Sequence, residues 1–210
     1  MQKKKKATPK PKPVSIVESI PIEEQHNVIF KPNDGPQTSF LAAGEREVLY
    51  GGSAGGGKSY AMLADPLRYM GHPAFSGLLL RHTTEELREL IFKSQEMYPK
   101  IWPGIKWSER KMQWTAPSGA RLWMSYLDRE DDVLRYQGLA FSWIGFDELT
   151  QWPTPFPWNY MRSRLRSTAT DLPVYMRATT NPGGRGHHWV KKMFIDPASY
   201  GKAFDATDIE

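Results

Sequence analysis

From Glu47 to Tyr50 the chain reads as a short strand, after which apolar side chains give way to glycines. Apolar residues at helical spacing resume from Ser59 to Met70 and stop at Gly71. Pro66 is set to kink or shorten that helix, because proline removes an amide donor and crowds the preceding turn. Gly77 to Arg81, GLLLR, is a continuous apolar run of the kind shown by a parallel strand covered on both faces. Thr83 and Glu86 then make a capping-box pair that opens a helix through about Met97.

KMQWTAPSGARLWMSYL alternates apolar and polar positions on both sides of Pro117-Ser118-Gly119, a hairpin signal inserted between the helical units. LAFSWIGF, Leu139 to Phe146, reads as the next buried strand and runs into Asp147 and Glu148. PVYMRATT forms a further strand ending at Asn181-Pro182. Pro32 to Pro36 is turn chemistry, and the polar stretch after it leads as a loop into the first strand. Strands alternating with helices predict an α/β fold with a mainly parallel central sheet, whose ligands sit at the strands' carboxyl ends.

Composition narrows the partners. The formal charge of +5 suggests nucleic acid, but Met1 to Pro13 alone holds six lysines and no acid. Taking those six from the 28 basic residues leaves 22 against 23 acidic ones, so the folded part is close to neutral. Residues 1–31 read as a basic, disordered tail and linker, with DNA or partner binding as its other reading. The absence of cysteine removes disulfides, thiol catalysis and thiolate metal sites, and fits a reducing compartment. Glu18, Pro21, Glu23 and Glu24 interrupt any apolar core of a signal peptide, and no apolar run is long enough to span a bilayer. A cytoplasmic protein is expected.

Gly52 to Ser59, GSAGGGKS, satisfies G-x-x-x-x-G-K-[ST] after a strand and at the start of a helix. A loop with so few side chains can curl the N–H groups of Gly52, Ser53, Ala54, Gly55, Gly56 and Gly57 around a polyphosphate. Lys58 then reaches the β and γ oxygens and Ser59 ligates Mg²⁺. A plain glycine-rich turn explains the glycines but not the Lys-Ser that follows.

At the end of the Leu139 strand, Asp147 can hold Mg²⁺ through water and Glu148 can polarise an attacking water, which favours hydrolysis over transfer to a substrate. Thr180 and Asn181 at the tip of the last strand are placed to bond the γ-phosphate or the lytic water; a Thr/Asn/Pro turn is the alternative. No Asn-Lys-x-Asp is present, so ATP is preferred over GTP, with Gln37 and Phe40 as candidates to grip the adenine edge and face.

With QTSF, GGSAGGGKS, LRYQGLAFSWIGFDELTQW and ATTNP in this order, residues 37–186 resemble the ATPase half of the large terminase subunit, the DNA-packaging motor of tailed double-stranded-DNA phages. The resemblance implies a P-loop NTPase of the additional-strand, catalytic-glutamate type, with an ATPase domain over 32–186. It implies a ring, usually a pentamer, at the procapsid portal in the host cytoplasm. Its partners would be double-stranded DNA, the portal protein and a small terminase subunit.

Such motors use an arginine on the γ-phosphate, often from the next subunit. Arg135 is the preferred candidate here, ahead of Arg162, Arg164 and Arg166. The family's second half is a nuclease, and residues 187–210 read as a linker or lid toward it. The acids there, Asp196, Asp205, Asp208 and Glu210, cannot build such a domain, so no cutting activity is expected. His187 and His188 lack further ligands at metal-site spacing. The competing functions are another P-loop ATPase acting on nucleic acid, helicase- or recombinase-like, and a nucleotide-binding adaptor.

Overall fold

The computed structural model describes residues 28–52 and 55–204, and Pro32 opens the compact unit that carries the sheet. The tail through residue 27, Ser53 and Ala54 of the glycine loop, and Asp205, Asp208 and Glu210 lie outside the described residues. Among the described residues no helix is long and apolar enough to cross a membrane.

The elements in order are α1 (Pro36–Ala42), β1 (Glu47–Gly51), α2 (Lys58–Ala64), β2 (Ser76–Arg81), α3 (Thr84–Ile101), β3 (Lys106–Ser108), β4 (Gln113–Thr115), β5 (Arg121–Tyr126), β6 (Trp143–Phe146), α4 (Phe156–Arg162), β7 (Tyr175–Thr180) and α5 (His187–Phe194). The α2 helix tightens into a 3₁₀ turn over Asp65–Tyr69, where Pro66 sits in the first turn, so the proline shortens the α-helix as expected. Two further 3₁₀ segments, Glu130–Tyr136 and Leu149–Gln151, flank β6.

Seven strands form one sheet in the order β1-β7-β6-β2-β5-β4-β3. The first five are parallel, and β4 and β3 continue antiparallel at the edge. The expected hairpin at Pro117-Ser118-Gly119 is present, formed by β4 and β5. Its second arm, β5, pairs parallel with β2 and thus belongs to the main sheet. Strand β7 lies between β1 and β6, so the strand preceding the glycine loop and the strand preceding the acidic pair are separated by one additional strand.

Side chains alternate between the two faces of a strand, while neighbours in parallel register share a face. On one face Leu78, Leu80, Ile144, Phe146, Met176 and Ala178 pack against Trp152, Trp158, Met161 and Val190, which come from the segments after β6 and from α4 and α5. On the other face α2 approaches closely at Gly145, where an added Cβ would lie 2.8 Å from Met62 Sδ. The α3 N-terminus carries the expected capping box: Glu86 N–H donates to Thr83 Oγ1 and Thr83 N–H donates to Glu86 Oε2, each at 3.3 Å.

Two expectations need correction. The polar stretch after Pro36 is helix α1 rather than loop, with proline in its first turn and Gln37 and Phe40 buried. The strand expected from Leu139 begins only at Trp143, and Phe141 makes an isolated bridge with Leu165. The segment from residue 187 opens with α5, whose Val190 is buried and whose Trp189 donates to Trp152 O at 2.9 Å. None of the eight tryptophans is exposed, so they serve packing rather than an open stacking surface.

Candidate functional site

The sheet register assembles the site. One position past the paired end of β6, Asp147 extends the ladder by donating its N–H to Leu80 O at 3.0 Å. Leu80 pairs with Phe146 and Phe146 with Ala178, so Asp147 falls between Arg81 of β2 and Thr179 of β7. Thr179 is in register with Tyr50 of β1. Arg81, Asp147, Thr179 and Tyr50 therefore form a lateral row at the carboxyl ends of four parallel strands, on the face that α2 covers.

The glycine loop closes over one end of that row. Tyr50 donates its hydroxyl to Gly56 O at 2.6 Å, and Gln37 Nε2 donates to Gly57 O at 2.8 Å. Gly57 has φ +73°, and an added Cβ would lie 2.6 Å from Gln37 Nε2, so glycine is required there on both conformational and steric grounds. Lys58, 7% exposed, opens α2 and donates from Nζ to Gly52 O at 3.1 Å, bending back across the loop. Ser59 follows it, half-buried at the second helical position.

Asp147 is 1% exposed. Its Oδ1 accepts the Thr179 hydroxyl, while Oδ2 lies 3.4 Å from Arg81 Nε without a hydrogen bond. Burial pushes its pKa up, and the Arg81 charge and then the Thr179 hydroxyl oppose that rise. Glu148 sits in the left-handed region, φ 61° and ψ 56°, which costs a non-glycine residue about 1–2 kcal/mol. That geometry turns its side chain toward β7. Asn181 N–H donates to Oε2 at 3.1 Å and Asn181 Nδ2 donates to Oε1 at 2.7 Å. Burial first, then the Asp147 charge, raise the Glu148 pKa, and the Asn181 backbone bond opposes them. A carboxylate shifted upward from the ordinary glutamate range and oriented by two donors is suited to act as a general base.

The chemistry of the donor set fits a hydrated divalent cation and a polyphosphate. Ser59 and Asp147 could hold the cation. Asp147 Oδ2 and Arg81 Nε and Nη1 are buried polar atoms with no hydrogen-bond partner among the described residues. Elsewhere, no group of three or more His, Cys, Asp or Glu is placed to hold a metal among the described residues. His187 instead accepts the Gly183 N–H at its Nδ1, at 3.2 Å.

Several sequence-predicted residues land differently from expectation. Phe40 is 3% exposed and packed beside Tyr50, 5.4 Å between centroids, with Arg177 over its ring at 5.9 Å, so it is a core side chain and offers no open face for adenine. Gln37 reaches the loop, but as a brace, since its Oε1 also accepts Asn33 N–H at 2.6 Å. Thr180 alternates to the opposite face from Asp147 and bonds Thr150 Oγ1 at 2.8 Å, whereas Thr179 touches the aspartate.

Arg162 is committed to Glu47 at the amino end of β1, with 2.6 and 2.7 Å contacts. Phe141 N–H donates to Arg164 O and Arg166 N–H donates to Phe141 O, ahead of β6. These three arginines therefore belong to the sheet end opposite the glycine loop. Arg135 lies at the correct end, exposed, donating to Tyr126 O and resting 5.5 Å from the Tyr126 and Tyr136 rings. Four strand spacings, roughly 19 Å, separate β5 from β1. Sequence reasoning missed Arg81 and Thr179; the signal available for Arg81 was a charged residue directly after a run of leucines at a strand end, the same kind of signal that singled out Asp147.

A family profile described as "Terminase large subunit, T4likevirus-type, N-terminal" matches residues 49–204. The chain belongs to this family. No curated protein matches it. Among solved structures, the large terminase of a thermophilic bacteriophage is 19% identical with a TM-score of 0.62, over 79% of this chain and 43% of that one. The large-terminase ATPase domain of Thermus phage P74-26 is 14% identical with a TM-score of 0.59, over 86% of this chain and 78% of that one. The first of these large terminases has also been solved in complex with ADP, where identity is 20%, the TM-score 0.60, and coverage 79% and 42%. This chain thus spans under half the length of that terminase, and at these identities the likeness is one of fold.

Proposed function

We propose that this chain is the ATP-hydrolysing motor part of a large terminase, driving double-stranded viral DNA into a procapsid. The observation that carries the reading is Glu148, fixed by Asn181 one strand away and standing next to Asp147 beside a lysine-bearing glycine loop. Family membership and the additional-strand order β1-β7-β6 support it.

In this reading the amides of residues 52–57 and the Lys58 ammonium bind the phosphates of ATP. Ser59 and Asp147 would hold Mg²⁺, which would supply charge neutralisation at the phosphoryl oxygens. Glu148 orients water and takes its proton, and Asn181 keeps the carboxylate aimed. The 3₁₀ turn after Glu148 connects that event to the rest of the fold, because Thr150 bonds Thr180 and Thr150 O accepts Gly186 N–H at 2.7 Å just ahead of α5. Arg135, beside the end of β5 at the same sheet end, would serve a neighbouring subunit in a ring, pentameric at the portal. Double-stranded DNA, the portal protein and the small subunit are its partners, in the host cytoplasm.

The test compares wild type with Glu148→Gln. Support is ATP turnover in wild type and, in the variant, retained nucleotide binding with turnover lower by about 10²–10⁴-fold. Equal turnover removes Glu148 from its role, and binding without turnover in wild type leaves the adaptor function instead.

A further inference from the structure

Arg81 is 8% exposed, ends a strand directly after three buried leucines, and uses neither Nε nor Nη1 in a hydrogen bond among the described residues. Its nearest anion is Asp147, whose Oδ2 stands 3.4 Å from Nε and is likewise without a hydrogen bond. Two buried charges at ion-pair distance whose facing atoms are not hydrogen-bonded compensate each other's desolvation poorly. A planar guanidinium with unused N–H groups matches an anion that presents several oxygens, phosphate above all. Its field also reaches Glu148 and, on α3, Glu89. The carboxylate oxygen nearest Arg81 belongs to the residue that would hold the divalent cation.

We infer that Arg81 is a γ-phosphate contact made conditional on Mg²⁺: the guanidinium rests against Asp147 Oδ2 until the hydrated cation takes that carboxylate, and it then turns to the terminal phosphate of the bound nucleotide. The inference rests on the nucleotide reading above. It makes Arg81 the residue that distinguishes triphosphate from diphosphate within one subunit, and makes that distinction depend on the metal. No bond is broken in the exchange; one anion replaces another at the same N–H groups.

The experiment measures affinities of the whole chain for ADP and for the β,γ-imido analogue of ATP by calorimetry, with Mg²⁺ and with EDTA. If wild type binds neither nucleotide, the nucleotide reading itself fails. If it binds, the expected result is that Arg81→Gln leaves Mg·ADP affinity within about twofold and lowers Mg-analogue affinity by about 10- to 100-fold, the size of one lost charge-assisted contact. In EDTA the two proteins should agree for both ligands. Loss of equal size for ADP and the analogue, or the same loss in EDTA, overturns the inference. Asp147→Asn supplies an arm that does not depend on Arg81→Gln folding: in EDTA it should prefer the triphosphate analogue more than wild type does. That gain should vanish when Arg81→Gln is added, and a gain that persists in the double variant contradicts a role for Arg81.

Discussion

Asn181 grips Glu148 twice, with Nδ2 on Oε1 at 2.7 Å and its backbone N–H on Oε2 at 3.1 Å. Both carboxylate oxygens are thus oriented from the tip of the neighbouring strand, and rotation of Glu148 requires breaking charge-assisted bonds. Asn181→Ala keeps the backbone donor and removes the side-chain one. Hydrolysis should fall by about 10- to 100-fold while nucleotide affinity holds, because positioning rather than binding is lost. Single-turnover rates alongside calorimetry check this, and a matched loss of affinity would place Asn181 on the nucleotide instead.

Burial and the Asp147 charge raise the Glu148 pKa, so the folded chain holds a proton that the unfolded chain releases. Stability from this group is fully present below the unfolded glutamate pKa, about 4.3, and is lost as pH rises through the higher folded value. Glu148→Gln should therefore melt above wild type at pH 7 to 8, with the gap closing toward pH 4. Hydrolysis, which needs the ionised base, should lose its acid limb at a pH above the ordinary glutamate range. Thermal melts and a pH–rate profile read the two effects separately.

How much of this was legible in the sequence follows from distance along the chain. The glycine loop, Lys58, Asp147 and Glu148 are local patterns whose spacing carries their meaning, and the structure brings them to one sheet end. Arg81 and Thr179 depend on the register between β2, β6 and β7, which a separation of 98 positions (179 − 81) obscures and only pairing fixes. Thr179 meets Asp147 and Thr180 meets Thr150 because a one-residue step along a strand moves a side chain to the opposite face, a parity that the sequence Thr-Thr does not reveal. Helix α1 was hidden because PQTSFLA is polar at its start and shows too little periodicity over seven residues. Phe40 drew notice as an aromatic near the loop, but an aromatic ring on a short helix is most cheaply buried, and Tyr50 and Arg177 bury it.

Gly57→Ala joins a left-handed backbone to a 2.6 Å approach on Gln37 Nε2. The conformational part costs about 1–2 kcal/mol, which lowers Tm on the order of 2–8 °C for a chain of this size. Adding Gln37→Ala should recover the steric part and leave the conformational part, so the double variant should melt between the single one and wild type.

Arg135 bonds the end of β5, a strand roughly four strand spacings from the β1 strand that leads into the loop, so the neighbouring subunit is its expected target. Mixing Arg135→Ala with Glu148→Gln subunits under ring-forming conditions should restore turnover well above either variant alone. Removing such an arginine costs about 10³–10⁵ in rate, so the recovery stands against a low background. No recovery at any mixing ratio would assign the arginine contact elsewhere.

Direct titration of Mg·ATP analogue into wild type and Lys58→Ala measures the central claim, that amides and one ammonium of the 52–59 loop hold a triphosphate. Saturable binding by wild type and a loss of about 100-fold or more in the variant is expected, on the scale of a charged contact in a buried site. Equal affinity of the two proteins for the nucleotide would contradict it.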